Sequence, residues 1–203
     1  MKFIKSIQMI LNLYQKIPRI KDTTILGLIS GTLGVLAMDT FDIIAWLKGK
    51  HEMLYGHLSG SMIFHPIRTH RRENFIIGKF MHVITGGALG CLVTWYLQKT
   101  GKDHHLIKGS MIGLGSWLIL YEFGQNRGWF ALKARKSSSF YISILANIIY
   151  GATTAQAIVS LADSSVFDRN PNTANKTITN KSIYNTPEPT YSEFEHNVQM
   201  YSQ

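Results

Sequence analysis

The chain has 203 residues, enough for one ordinary domain, with 45% hydrophobic residues and a mean hydropathy of only +0.02. Its formal charge of +9 comes from 21 Lys and Arg against 12 Asp and Glu, gathered in short clusters between long uncharged stretches. That segregation argues against a soluble protein with charge on every surface helix and against a nucleic-acid module, and the single cysteine, Cys91, excludes an internal disulfide and a cysteine-pair metal site.

Residues 1–21 read as an amphipathic helix at a membrane surface. Phe3, Ile7, Ile10, Tyr14 and Ile17 recur at helical spacing, Lys5, Gln8, Asn12, Lys16 and Arg19 fall on the other side, and Pro18 ends the pattern. Gln8 and Asn12 interrupt the apolar run and no small-residue cleavage site follows, which argues against a signal peptide. A domain over 22–162 then carries four predicted transmembrane helices, at about 24–47, 75–97, 106–123 and 140–162. At a rise of about 1.5 Å per residue, each is near the length that crosses a hydrocarbon core of about 30 Å. Asp22 or Thr23 can cap the first, and Trp46 with Lys48 and Lys50 marks its far end. Trp95, Tyr96 and Lys99 do the same for the second. The connector over 51–74 is basic and His-rich, with an apolar middle expected to lie on or dip into the interface. Residues 163–203 are rich in Asn, Thr and Ser and lack apolar periodicity, so they read as a mostly disordered tail. The predicted fold class is all-α: an integral membrane four-helix antiparallel bundle with an N-terminal amphipathic surface helix and a disordered C-terminal tail.

Small residues predict how the helices pack. Gly27 and Gly31, Gly86 and Gly90, and Gly109 and Gly113 each have the GxxxG spacing that lets helix backbones approach closely. Gly27–Gly31 in the first helix is echoed by Gly109–Gly113 in the third. His82, Gly86 and Gly90 in the second are echoed by Asn147, Gly151 and Ala155 in the fourth. Two helical hairpins of similar design would give this echo, and so would chance.

Ionisable residues inside predicted spans are costly and are expected to face the interior and pair. Asp39, Asp42, His82 and Asn147 form the candidate polar cluster, joined by Lys79 and Glu122; all fall within roughly 12 Å of one membrane surface by helical rise. Equal depth pairs Asp39 with His82, and Asp42 with Lys79 or with Arg68, Arg71 and Arg72. Lys79 and Glu122 read as side chains reaching for the headgroups. Two meanings stay open for Asp39 and His82: an ion- or proton-handling site, or a buried pair that fixes helix register. His65 with His70, or His104 with His105, supplies no third ligand at a diagnostic spacing, so no metal is expected. No cofactor-binding or catalytic motif is present, and no catalytic residue is assigned.

The stretch from 24 to 162 resembles the YagU-like small inner-membrane proteins of bacteria. The similarity lies in Gly27-Leu-Ile-Ser-Gly31 in a first helix ending in an acid, the histidine opening the second helix, and Asn147-Ile-Ile-Tyr-Gly151 in the fourth. That resemblance implies a bacterial inner membrane location and carries no chemistry over. The expected partners are a bilayer with anionic headgroups and a second copy or another membrane protein, with no nucleic acid. An even number of crossings puts both termini on one side. Lys16, Arg19 and Lys21 before the first helix outweigh Lys48 and Lys50 after it and place that side in the cytoplasm, although a count over the loops that leaves out the distant Lys2, Lys5, Lys176 and Lys181 points the other way. Function is expected in one of two classes: a structural or accessory membrane protein packed through its glycine faces, or a small proton- or ion-linked transporter component using Asp39 and His82.

Overall fold

The computed structural model describes residues 19–132 and 136–167. The predicted surface helix over 1–21 and the predicted tail over 163–203 lie almost wholly outside those residues. The described chain is helical: α1 Thr23–Leu47, a short α2 Tyr55–Gly60, α3 Arg72–Thr100, α4 His105–Ser116, a π-helical stretch Trp117–Phe123, α5 Gly124–Asn126 and α6 Ser137–Leu161. Short 3₁₀ turns follow at Pro66–Arg68 and Ser164–Val166. Three of these helices, α1, α3 and α6, are long and apolar enough to cross a membrane. The third predicted span coincides with α4 and its π-helical continuation; helical structure persists from His105 to Asn126, but not as one α-helix.

The ends of the helices follow local chemistry. Asp22 caps α1, its carboxylate accepting from the backbone N–H of Thr24 and Ile25 at 2.8 Å each. Past Leu47 the chain reverses at Gly49, whose φ of +66° is open to glycine at little cost. At the far end of α3, Lys108 reaches back and donates to the carbonyls of Thr100 and Gly101 at 2.9 Å each, covering acceptors the helix leaves free. Threonines inside helices spend their hydroxyls on their own backbone: Thr85 donates to Met81 O and Thr94 to Gly90 O, both at 2.9 Å.

Packing follows the glycines. α1 lies against α3 and α6, α4 against α6, and α2 against the start of α3. A Cβ on Gly90 would sit 2.6 Å from Gly31 Cα, and one on Gly27 would sit 2.5 Å from Cys91 Cα. On α6, a Cβ on Gly151 would sit 2.7 Å from Gly109 C and 3.1 Å from Gly113 Cα. Only hydrogen fits at these crossings, so backbones touch without intervening side chains. The two seams share one pattern. Gly90 meets Gly27 and Gly31 as Gly151 meets Gly109 and Gly113. The repeat therefore aligns Gly90 with Gly151 and Gly86 with Asn147, one helical turn away from the echo suggested by spacing alone. A further close approach, absent from the sequence reading, joins α2 to α3. A Cβ on Gly78 would meet Gly60 N at 2.5 Å.

Two apolar clusters fill the interior. One gathers Leu26, Val93, Leu97, Ala155, Ile158 and Val166. The other gathers Val35, Met38, Tyr55, Leu58, Trp117, Tyr121, Ala146 and Tyr150. Val166 lies in the first, with Gln98 Nε2 donating to its carbonyl at 3.3 Å, so packed structure continues past the predicted boundary at 162. Ile20 pairs its backbone with Leu161 and Asp163, which ties the two edges of the helical domain together. Large apolar side chains also point outward: Leu36 is 54% exposed, Ile84 54% and Met111 68%.

Candidate functional site

The second cluster surrounds a layer of polar side chains. Asp39 and Asp42 lie three residues apart on α1, on one helical face, and both are buried. Asp39 faces α3, where Lys79 and His82 are also three residues apart. Its carboxylate pairs with the Lys79 ammonium, and His82 Nε2 stands 3.6 Å from its other oxygen, beyond hydrogen-bond range. The Lys79 side chain is 32% exposed, so the pair is closed towards the core and partly open outward.

Asp42 is not paired with Lys79 or the arginine cluster. Its partner is His51, whose Nδ1 meets Asp42 Oδ1. The turn at Gly49 folds His51 back beside the last turns of α1, giving an acid buried in the interior a neighbour from the same segment. His51 Nε2 lies 3.5 Å from Ser143 Oγ on α6. Sequence reasoning overlooked His51 because it sits beyond the apolar stretch; the signal was the Lys48-Gly49-Lys50 stop, since a glycine past a helix end commonly turns the chain back.

Tyr55 joins the two halves of the layer. Its ring stacks on His82 with centroids 5.0 Å apart and an interplanar angle of 8°. Its hydroxyl accepts from Asn147 Nδ2 at 2.9 Å, while the same amide donates to Ser143 O at 2.8 Å. Burial, and next the charge of Asp42, push the Tyr55 phenol up, so it stays a neutral hydroxyl. Tyr150, one turn further along α6, donates to Gly86 O at 2.6 Å and so ties α6 to α3. Of the predicted residues, Asp39, His82 and Asn147 thus meet around Tyr55, and Asp42 stands one step aside with His51. Tyr55, His51 and Ser143 complete the layer and were not singled out by the sequence; Tyr150 stood beside Asn147 in the quoted motif of the fourth helix. The predicted glycines Gly27, Gly31, Gly86, Gly90, Gly109, Gly113 and Gly151 are all buried at helix crossings.

A cavity of about 190 Å³ adjoins this layer. Val35, Met38, Tyr55, His82, Trp117, Asn147 and Tyr150 are among its walls, and the exposed side chains of Met62, Thr85 and Trp129 stand at its edge. The π-helical stretch shapes one side. It carries Trp117 and Tyr121, both buried, whose rings stack with centroids 6.1 Å apart. Among the described residues no three His, Cys, Asp or Glu side chains gather as a metal site. His57 and His70, in the connector, instead pack ring against ring with centroids 5.1 Å apart. Burial, and next the neighbouring His70, hold His57 below the ordinary histidine value of 6.5. Compared with known proteins, the chain matches no family model, no curated sequence and no solved structure.

Proposed function

We propose that this chain is an integral membrane protein of the accessory class: an antiparallel four-helix bundle held by glycine seams, with a clamped polar layer near one membrane face. The observation that carries the reading is where its charge lies. Asp39 and Asp42 are buried and each has a cationic or histidine partner inside. The outward faces of α1, α3 and α4 offer Leu36, Ile84 and Met111 to the surroundings. Water as the solvent would favour the reverse arrangement; hydrocarbon favours this one. Lys99 over the Trp95 ring, at 5.1 Å, and Arg127 over the Phe123 ring, at 4.9 Å, suit the two headgroup layers. In this reading α4 with its π-helical continuation is the fourth crossing. The YagU-like resemblance agrees with a bacterial inner membrane location.

The accessory class is favoured over transport by the far half of the bundle. Beyond the polar layer the buried side chains of the described residues carry no ionisable group: Leu26, Val93, Leu97 and Ile158, each 0% exposed, are joined only by the hydroxyls of Ser30, Thr94 and Thr154, a poor path for an ion within one protomer. His82 Nε2, without a hydrogen-bond partner among the described residues and 3.6 Å from Asp39, supports the second reading, proton-linked permeation in an assembly of several copies.

Two measurements test this. Alkaline carbonate extraction of membranes should leave the full-length chain in the pellet; release into the supernatant overturns the membrane reading. Reconstituted vesicles with a trapped pH dye should show no proton flux above protein-free vesicles. A flux that disappears in Asp39→Asn overturns the accessory class in favour of transport.

A further inference from the structure

We infer that the cavity beside the polar layer is a binding site for a lipid-soluble, uncharged ring compound carrying oxygen acceptors, of the quinone type. This rests on the membrane reading only for the route by which such a ligand arrives.

Size and wall chemistry select the class. A cavity of about 190 Å³ exceeds the roughly 150 Å³ that receives benzene in an apolar core, so it holds one substituted ring. It is too small for a folded peptide or a whole acyl lipid. Its walls are mostly apolar and aromatic, with Val35, Met38 and Leu89 on one part and Tyr55, Trp117 and Phe130 on another, which suits a flat ring. A charged ligand would find no counter-charge on the wall, because no Asp, Glu, Lys or Arg is among the described residues that line the cavity.

The polar part of the wall selects the acceptors. Trp117 Nε1 and His82 Nε2 are buried ring nitrogens without a hydrogen-bond partner among the described residues, and both residues line the cavity. Tyr150 OH, Ser116 Oγ and Thr85 Oγ1 already donate to backbone carbonyls. The indole N–H is a donor only, so what it lacks is an acceptor. An unpaired buried donor is costly, and a ligand oxygen reached by a small turn of the indole ring relieves that cost. Exposed Met62, Thr85 and Trp129 mark where the cavity opens, and an uncharged ring can enter there from the bilayer.

The test uses the purified full-length chain in detergent and two probes of nearly the same shape: duroquinone, which carries two carbonyl oxygens, and durene, which carries none. Equilibrium dialysis should give saturable binding of one duroquinone per chain, with durene at least tenfold weaker. Trp117→Phe keeps the ring and removes the N–H, and should bring duroquinone down to the durene level while leaving durene unchanged. Leu120→Trp fills the cavity and should abolish both. Thr85→Phe, at the exposed edge, should do the same without altering the core. Equal affinity for the two probes, uptake that never saturates, or duroquinone binding indifferent to both Trp117→Phe and Thr85→Phe overturns the site. Carbonate extraction of the same membranes reports on the membrane reading separately, so the two can fail independently.

Discussion

Replacing Gly90 by alanine adds one methyl group where α3 crosses α1. That methyl would lie 2.6 Å from Gly31 Cα and 2.8 Å from Gly31 N. Carbon atoms rest at about 3.5–4.0 Å, so the crossing must open by about 1 Å. The obstacles are backbone atoms of a helix, so no rotamer change can make room. Overpacking of this kind costs about 1–3 kcal/mol, and a rigid obstacle belongs near the top of that range. Alanine regains about 1 kcal/mol of helix propensity over glycine, leaving a net loss of about 2 kcal/mol. Gly115, on α4, is the internal control, because nothing among the described residues lies within 4 Å of a Cβ built there. Gly115→Ala should therefore gain about 1 kcal/mol from propensity alone. Reversible unfolding in mixed micelles of rising dodecyl sulfate fraction measures both. The expected order of stability is Gly115→Ala, then the unchanged chain, then Gly90→Ala, spanning about 3 kcal/mol. Gly151→Ala, at the equivalent crossing on α6, should fall beside Gly90→Ala. If Gly90→Ala unfolds no more easily than Gly115→Ala, backbone contact is not what holds α1 to α3.

Three further outcomes are expected. Asp39→Asn or Lys79→Met alone should destabilise clearly. The double change should recover most of the loss, because each single change leaves the other group short of its partner; a double-mutant cycle without coupling would refute the pairing. Tyr55→Phe removes the hydroxyl that accepts from Asn147 at 2.9 Å, and should cost about 1 kcal/mol while keeping the ring stacked on His82, as read by unfolding and by the retained fold. His57 is held below its ordinary 6.5, so the unfolded chain binds the proton first. Its contribution is intact above about pH 6.5 and is lost as the pH falls through the lower folded value. Thermal unfolding followed from pH 7.5 downward should show this loss, and His57→Phe should flatten it; an unchanged profile would refute the assignment.

Periodicity and composition made α1, α3 and α6 legible, because a long uncharged stretch has few alternatives to a helix and its ends carry Asp, Lys and Trp. They also marked the glycines, since a residue without a side chain at i and i+4 leaves a flat strip on a helix wherever that helix packs. Spacing could not tell which strip meets which. The seam between Gly90 and Gly31 and its counterpart between Gly151 and Gly113 depend on the relative sliding of two helices, set by every side chain along the contact, and the true repeat is one turn away from the apparent one. Nor could sequence foresee the π-helical turn at Trp117, because the same residues suit an α-helix. The acids themselves announced that they needed partners. Which partner each takes was decided in three dimensions: Lys79 reaches Asp39 because α3 runs beside α1 at that height, and His51 reaches Asp42 because Gly49 turns the chain back. Local sequence thus determined the helices and the need for pairing, since both are properties of a short segment and its solvent. The tertiary fold decided the pairs and the cavity, since both depend on distances between segments that lie far apart along the chain.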